Sequence, residues 1–181
     1  DEHGGQAFYH IVHFDTHGGV LTYEQLTKSY EANSLVFNDR YAREDLKNYE
    51  GKRAYLFLER EGGGGDAVEA GELARELTGR GVPVVMLNAC QSGQTAGSSS
   101  LAAALVEEGV QAAVGMAYSV TVSAAERMMG EVYTALFERP DLEIALRRGR
   151  RELRAHKSRR AYFNQHIDLE DWMLPVVYQN H

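Results

Sequence analysis

The chain has 181 residues, 44% of them hydrophobic and 25% charged, a composition that excludes disordered and fibrous chains and predicts one soluble globular domain. Its formal net charge of −7 argues against a general nucleic-acid binder, which needs a basic excess to neutralise phosphates. No apolar run approaches the roughly 20 residues needed to cross a bilayer and no leader is visible, so no membrane association is expected.

In chain order, Phe8-Tyr9-His10-Ile11-Val12-His13-Phe14 is rich in aromatic and β-branched residues and predicts a buried strand that ends at His17 and is closed by Gly18-Gly19. Residues 20–52 are mixed and polar and predict no firm structure. Tyr55 to Glu59 reads as a strand, Gly62 to Gly65 as a hairpin turn and Asp66 to Glu69 as a short return strand. The glycine run lacks the spacing and following lysine of a phosphate loop. From Ala70 the periodicity turns helical through Leu73, Ala74 and Leu77 and stops at Gly79 and Gly81. Val82 to Leu87 is an almost unbroken apolar run, which suits a central strand buried on both faces of a parallel sheet.

A small-residue loop from Gln91 to Ser100 leads to a helix through Leu101, Leu105 and Val106, ended by Gly109, and Val110 to Met116 is the next strand. Ser123 and Glu126 have capping-box spacing and predict the start of a helix carrying Met128, Met129, Val132, Tyr133, Leu136 and Phe137. Arg139-Pro140 ends it, a second helix runs from about Asp141 to His156, and Trp172 to Tyr178 closes the chain. This alternation implies an α/β fold with right-handed crossovers, a mostly parallel central sheet and helices on both faces. Chemistry in such folds sits at the carboxyl ends of the strands.

Two positions at such ends stand out. Cys90, the only cysteine, follows an apolar strand and precedes the permissive Gln91-Ser92-Gly93, which suits a thiol at a cleft rather than in the core. A lone cysteine cannot form an internal disulfide, so a reducing compartment such as the cytoplasm is expected. Thiols attack as thiolates, and an imidazole such as His17 can take the proton and later deliver it to a leaving amine. Side chains alternate faces along a strand, so Asp15 falls with His17, and Asn88 with Cys90, on the cleft side, where both are candidates for a substrate pocket. An anionic pocket at Asp15 would favour a basic substrate group such as an arginine or lysine side chain. His10, His13 and His17 with Asp15 would need a helix to converge on a metal, and the segment reads as a strand, so neither a metal nor another cofactor is expected.

His13-Phe14-Asp15-Thr16-His17-Gly18 and Leu87-Asn88-Ala89-Cys90-Gln91-Ser92-Gly93 resemble the two catalytic blocks of the CHAT domain, a bacterial branch of the caspase-like cysteine peptidases. The likeness extends through Tyr55–Glu59, Gly109–Gly115, Asn164-Gln165, Asp168–Trp172 and Pro175–Tyr178, most of residues 8–179. The resemblance implies a caspase-like three-layer sandwich spanning residues 1–181 as one domain. It also implies an endopeptidase with Cys90 as nucleophile, His17 as general base and acid, and the N–H groups of Gly18 and Cys90 as oxyanion hole. Similar domains carry further strands and helices before the histidine strand, whereas only seven residues precede Phe8 here, so the front of the domain is expected to be absent. The implied partners are a protein or peptide substrate and a regulatory protein domain. A catalytically silent interaction module on the same scaffold is the competing reading, and a nucleotide-binding α/β domain a third, for which no phosphate-cradling motif is present. The basic cluster Arg147, Arg148, Arg150, Arg151, Arg154, Lys157, Arg159 and Arg160 reads as a solvated helix face or, more sharply, as a docking surface for an acidic partner.

Overall fold

The computed structural model describes residues 8–31, 48–59, 65–88, 100–118, 120–160, 163 and 165–180. The chain is a mixed α/β protein that divides into two compact units, Asp1–Ala117 with Val177–His181, and Tyr118–Val176. No described helix is long and apolar enough to cross a membrane.

One sheet has the order β1-β5-β6-β9, formed by Ile11–Phe14 (β1), Val84–Leu87 (β5) and Ala112–Met116 (β6) of the first unit and by Pro175–Gln179 (β9), which belongs to that unit from Val177 onward. β1 pairs parallel with β5, and β5 parallel with β6, so the sheet is partly parallel. The apolar run leading into β5 is central as its composition predicts: Val85, Met86 and Leu87 are fully buried, and all five residues of β6 are buried. Each valine, leucine or methionine side chain so removed from water contributes roughly 1.5–3 kcal/mol, which is why these two strands anchor the unit. Leu101–Glu107 (α3), capped by the Ser100 side chain accepting from the Ala103 N–H, and Ala70–Gly79 (α2) bury Leu101, Leu105, Ala74 and Leu77 in the same core. Gly81 at φ +68° and Gly109 at φ +109° take the left-handed conformation that ends these two helices, where a side chain would be strained.

A second sheet of order β2-β3-β4 is antiparallel throughout and comprises His17–Leu21 (β2), Arg53–Glu59 (β3) and Gly65–Glu69 (β4). Here the expectation of a single strand from Phe8 to His17 is corrected. β1 stops at Phe14, the chain bends at Asp15-Thr16, and His17 opens a strand of the other sheet. The Thr16 hydroxyl donates to the Phe57 carbonyl, and β2 then pairs along β3, so Gly18-Gly19 are strand residues and not a terminator. Gly19 is needed at close quarters, since a Cβ there would lie 3.3 Å from the Phe57 ring. Phe8 and Tyr9 are exposed and stack edge to face, so the strand does not begin with them.

Residues 20–52, where no firm structure is predicted, contain a helix, Tyr23–Glu31 (α1). It opens on a capping box in which Thr22 Oγ1 accepts from the Gln25 N–H and Gln25 Oε1 from the Thr22 N–H. Leu26 of α1 is completely buried with Tyr49, Tyr55 and Ala67. Burial holds the Tyr55 phenol well above its ordinary range, with Tyr49 beside it.

The second unit is built on two helices, Val122–Glu138 (α4) and Leu142–Ala155 (α5), followed by a hairpin of Ser158–Arg160 (β7) and His166–Asp168 (β8) and a short 3₁₀ helix, Asp171–Met173. The cap of α4 is Thr121, whose hydroxyl accepts from the Ala124 N–H; Ser123, the expected cap, lies inside the first turn. Met128, Met129 and Val132 are buried as their spacing predicts, whereas Phe137 is 89% exposed. Gly149 of α5 lets the helices approach closely, since a Cβ there would sit 2.8 Å from a Val132 methyl. Arg159, placed by sequence on a solvated face, is 1% exposed and forms a two-bond ion pair with Asp171 at 2.7 and 2.8 Å.

Candidate active site

The parallel register between β1 and β5 sets Phe14 opposite Leu87, so the two strands end level. The residues that leave those ends meet. The Asn88 backbone N–H donates to the Phe14 carbonyl at 2.8 Å, and the Asn88 side-chain amide donates to Asp15 Oδ1 at 3.0 Å. The Asn88 Oδ1 atom is buried without a hydrogen-bond partner among the described residues. Asp15 is exposed. A carboxylate held at one oxygen by a neutral amide keeps its charge and its remaining lone pairs for a cationic or N–H-bearing group.

His17 follows two residues after Asp15, exposed at the start of β2 and paired in register with Phe57. Gly18, half-buried, pairs with Leu56. The hydrogen bond from Thr16 to the Phe57 carbonyl fixes the bend between Asp15 and His17, a positioning contact the sequence reading passed over, although a threonine at a strand break is a recognisable signal for such a tie. His13 lies upstream of Asp15, and its imidazole is held below the usual histidine range by desolvation, with the Asp15 carboxylate opposing.

Of the sequence-predicted residues, Asp15 and Asn88 are in direct contact, and His17 and Gly18 lie immediately downstream of Asp15. Cys90 falls outside the described residues, as do Gln91-Ser92-Gly93 and the glycines at 62–64. Among the described residues no group of three or more His, Cys, Asp or Glu side chains converges in a way that would hold a metal ion. In the second unit an open hollow of about 720 Å³ lies at the N-terminal end of α4, lined chiefly by Val120, Val122 and Ile167 with Glu126 and Arg160. Among the described residues none of the candidate catalytic or substrate-pocket residues contributes to it, whereas Arg160 of the basic cluster does.

The arrangement offers an acceptor-rich corner at the carboxyl ends of two parallel strands, followed on one side by a solvent-facing imidazole. Comparison with known proteins gives a match to the CHAT domain over residues 5–178. No curated protein matches the chain.

Proposed function

The chain belongs to the CHAT domain family, and from that premise we propose that it is a caspase-like cysteine endopeptidase with a Cys90–His17 dyad on a three-layer caspase-like sandwich. In this reading His17 takes the thiol proton and the Cys90 sulfur attacks the scissile carbonyl carbon. The N–H groups of Gly18 and Cys90 stabilise the oxyanion that forms. The tetrahedral adduct collapses as the C–N bond breaks, and His17 returns its proton to the departing amine. Water, deprotonated by His17, then hydrolyses the thioester and releases the acid product and the free thiol.

The observation that carries the reading is the pairing of the two strand ends, sealed by the hydrogen bond from Asn88 to Asp15. Each candidate catalytic residue follows one of these partners by only two positions, a chain reach of about 7 Å, so the two motifs that resemble the family's catalytic blocks start from one corner. The same corner supports Asp15 and Asn88 as P1-pocket residues. The Asp15 carboxylate would attract arginine or lysine and repel an acidic side chain. A regulatory domain that controls access to the dyad completes the proposal.

The test is turnover of fluorogenic peptides together with labelling by a thiol-directed acyl-mimetic probe. Cys90→Ala abolishes both, and His17→Ala lowers kcat/KM by about 10²–10⁴-fold with the fold intact by circular dichroism. Asp15→Ala lowers cleavage after arginine and lysine by about tenfold or more while leaving neutral P1 residues within a few-fold. A Cys90 thiol that reacts equally well with and without His17, and no peptide turned over in the presence of any added protein regulator, would leave only the silent interaction module.

A further inference from the structure

The structure engages half of the eight-residue basic cluster internally and leaves three of its arginines on one line. Arg148 is held by Glu131 and Glu138, and Lys157 by Glu170. Arg159 is buried against Asp171, and Arg150 donates to the Pro175 carbonyl at 2.6 Å. Arg147, Arg151 and Arg154 remain exposed on α5 at i, i+4 and i+7, which sets them on one helix face over a span of about 10 Å. Arg147 and Arg151 have no ion pair among the described residues. The Arg154 guanidinium lies 5.5 Å from the centre of the Trp172 ring and feels Glu170, a carboxylate already engaged by Lys157 and by the Trp172 indole N–H at 2.9 Å. Met173, next to that tryptophan, is 59% exposed. Glu143 marks the N-terminal end of the line.

From this we infer that the exposed face of α5 is a docking surface for an acidic polypeptide segment, one that presents carboxylates at matching helical spacing and an apolar side chain to Trp172 and Met173. The composition favours a protein partner. Arginine and tryptophan side by side are what protein interfaces concentrate at their energetic centres, and each guanidinium presents a planar fork that fits a carboxylate. Duplex nucleic acid asks for more: proteins that bind it specifically commonly neutralise about 6–10 phosphates, and three guanidiniums on a chain of net charge −7 fall short. An anionic membrane is read by clusters of about 4–8 basic residues beside an apolar anchor, again more than this face offers. The surface is independent of the Cys90 chemistry, and its test needs no activity.

The experiment measures fluorescence anisotropy of a labelled alanine-based helical peptide with glutamates at i, i+4 and i+7 and a leucine on the same face, titrated with the full chain at about 50 and about 200 mM salt. Saturable binding that weakens with salt, and that drops by about tenfold or more in the R147Q/R151Q variant, supports the surface. An equal change of charge on α2, R75Q/R80Q, leaves affinity within about threefold, because neither residue belongs to the proposed surface and a change of net charge alone is screened by salt. Circular dichroism confirms that both variants are folded. Absence of saturable binding, unchanged affinity in R147Q/R151Q, or tighter binding of a single-stranded oligonucleotide or of phosphatidylserine vesicles than of the peptide each overturns the proposal.

Discussion

The two units of the chain solve the same problem with different materials. The first is held by apolar strands: β5 and β6 bury nearly every side chain, and α2 and α3 add alanine and leucine to the same core. The second rests on the α4–α5 pair, whose contact uses methionine, valine and a glycine, and on a set of ion pairs of which one, Arg159 with Asp171, is buried. A buried apolar side chain stabilises wherever it is well packed, whereas a buried ion pair is worth little in net terms but is costly to break by halves. The two units should therefore fail in different ways when cut.

The largest effect expected is from Asp171→Ala. It leaves the Arg159 guanidinium, with its five donors, buried beside the Leu153 and Ser158 carbonyls and no counter-charge, at a cost of about 3–5 kcal/mol. Leu56→Ala in the first unit costs a comparable ~2–5 kcal/mol through lost burial and a cavity. What separates the two is rescue. Replacing both partners, Arg159→Met with Asp171→Leu, recovers most of the loss in denaturant melts, and a double change that recovers nothing would show that the pair does more than satisfy itself.

Next in size is Gly149→Ala, where the new methyl meets Val132 and Met128 and costs about 1–3 kcal/mol by overpacking; a thermal melt at unchanged or higher midpoint would mean the helices can separate freely. Smaller again is the cap of α4: Thr121→Ala lowers stability by about 1 kcal/mol, and Ser123→Ala changes it by a few tenths, the reverse of what the sequence spacing predicts. The smallest effect belongs to His13. Its pKa is depressed in the folded chain, so the unfolded chain binds the proton first as pH falls. Stability is fully present above about pH 6.5, declines as pH drops from there through the folded value, and loses that component of its pH dependence in His13→Gln.

Much of the first unit was legible from local pattern. The apolar run before Cys90 has one environment that suits it, the middle of a parallel sheet, and the expected return strand after Tyr55–Glu59 does pair back along it. Alternation along the strands is not what brings Asp15 and Asn88 together: both lie just past strand ends, where β1 and β5 finish level and the Asn88 amide reaches the Asp15 carboxylate. Helix α1 was legible too and was missed: Thr22 and Gln25 spell a capping box as clearly as Ser123 and Glu126, but polar residues around a short apolar pattern masked it.

The break at Asp15-Thr16 was not legible, because a strand and a bend between two strands share the same β-favouring residues, and only the pairing of β2 with β3 separates them. The fate of the arginines was equally hidden. Arg147 and Arg159 both sit among basic neighbours in the sequence, yet one faces water and the other is sealed against Asp171, twelve positions along. By itself the order of residues determined which segments extend, which coil and where the apolar mass must go, since those depend on neighbours a few positions apart. The three-dimensional arrangement alone decided which charges are spent on holding the molecule and which are left to meet a partner, because electrostatic pairing depends on distance through space, a quantity that the order of residues does not contain.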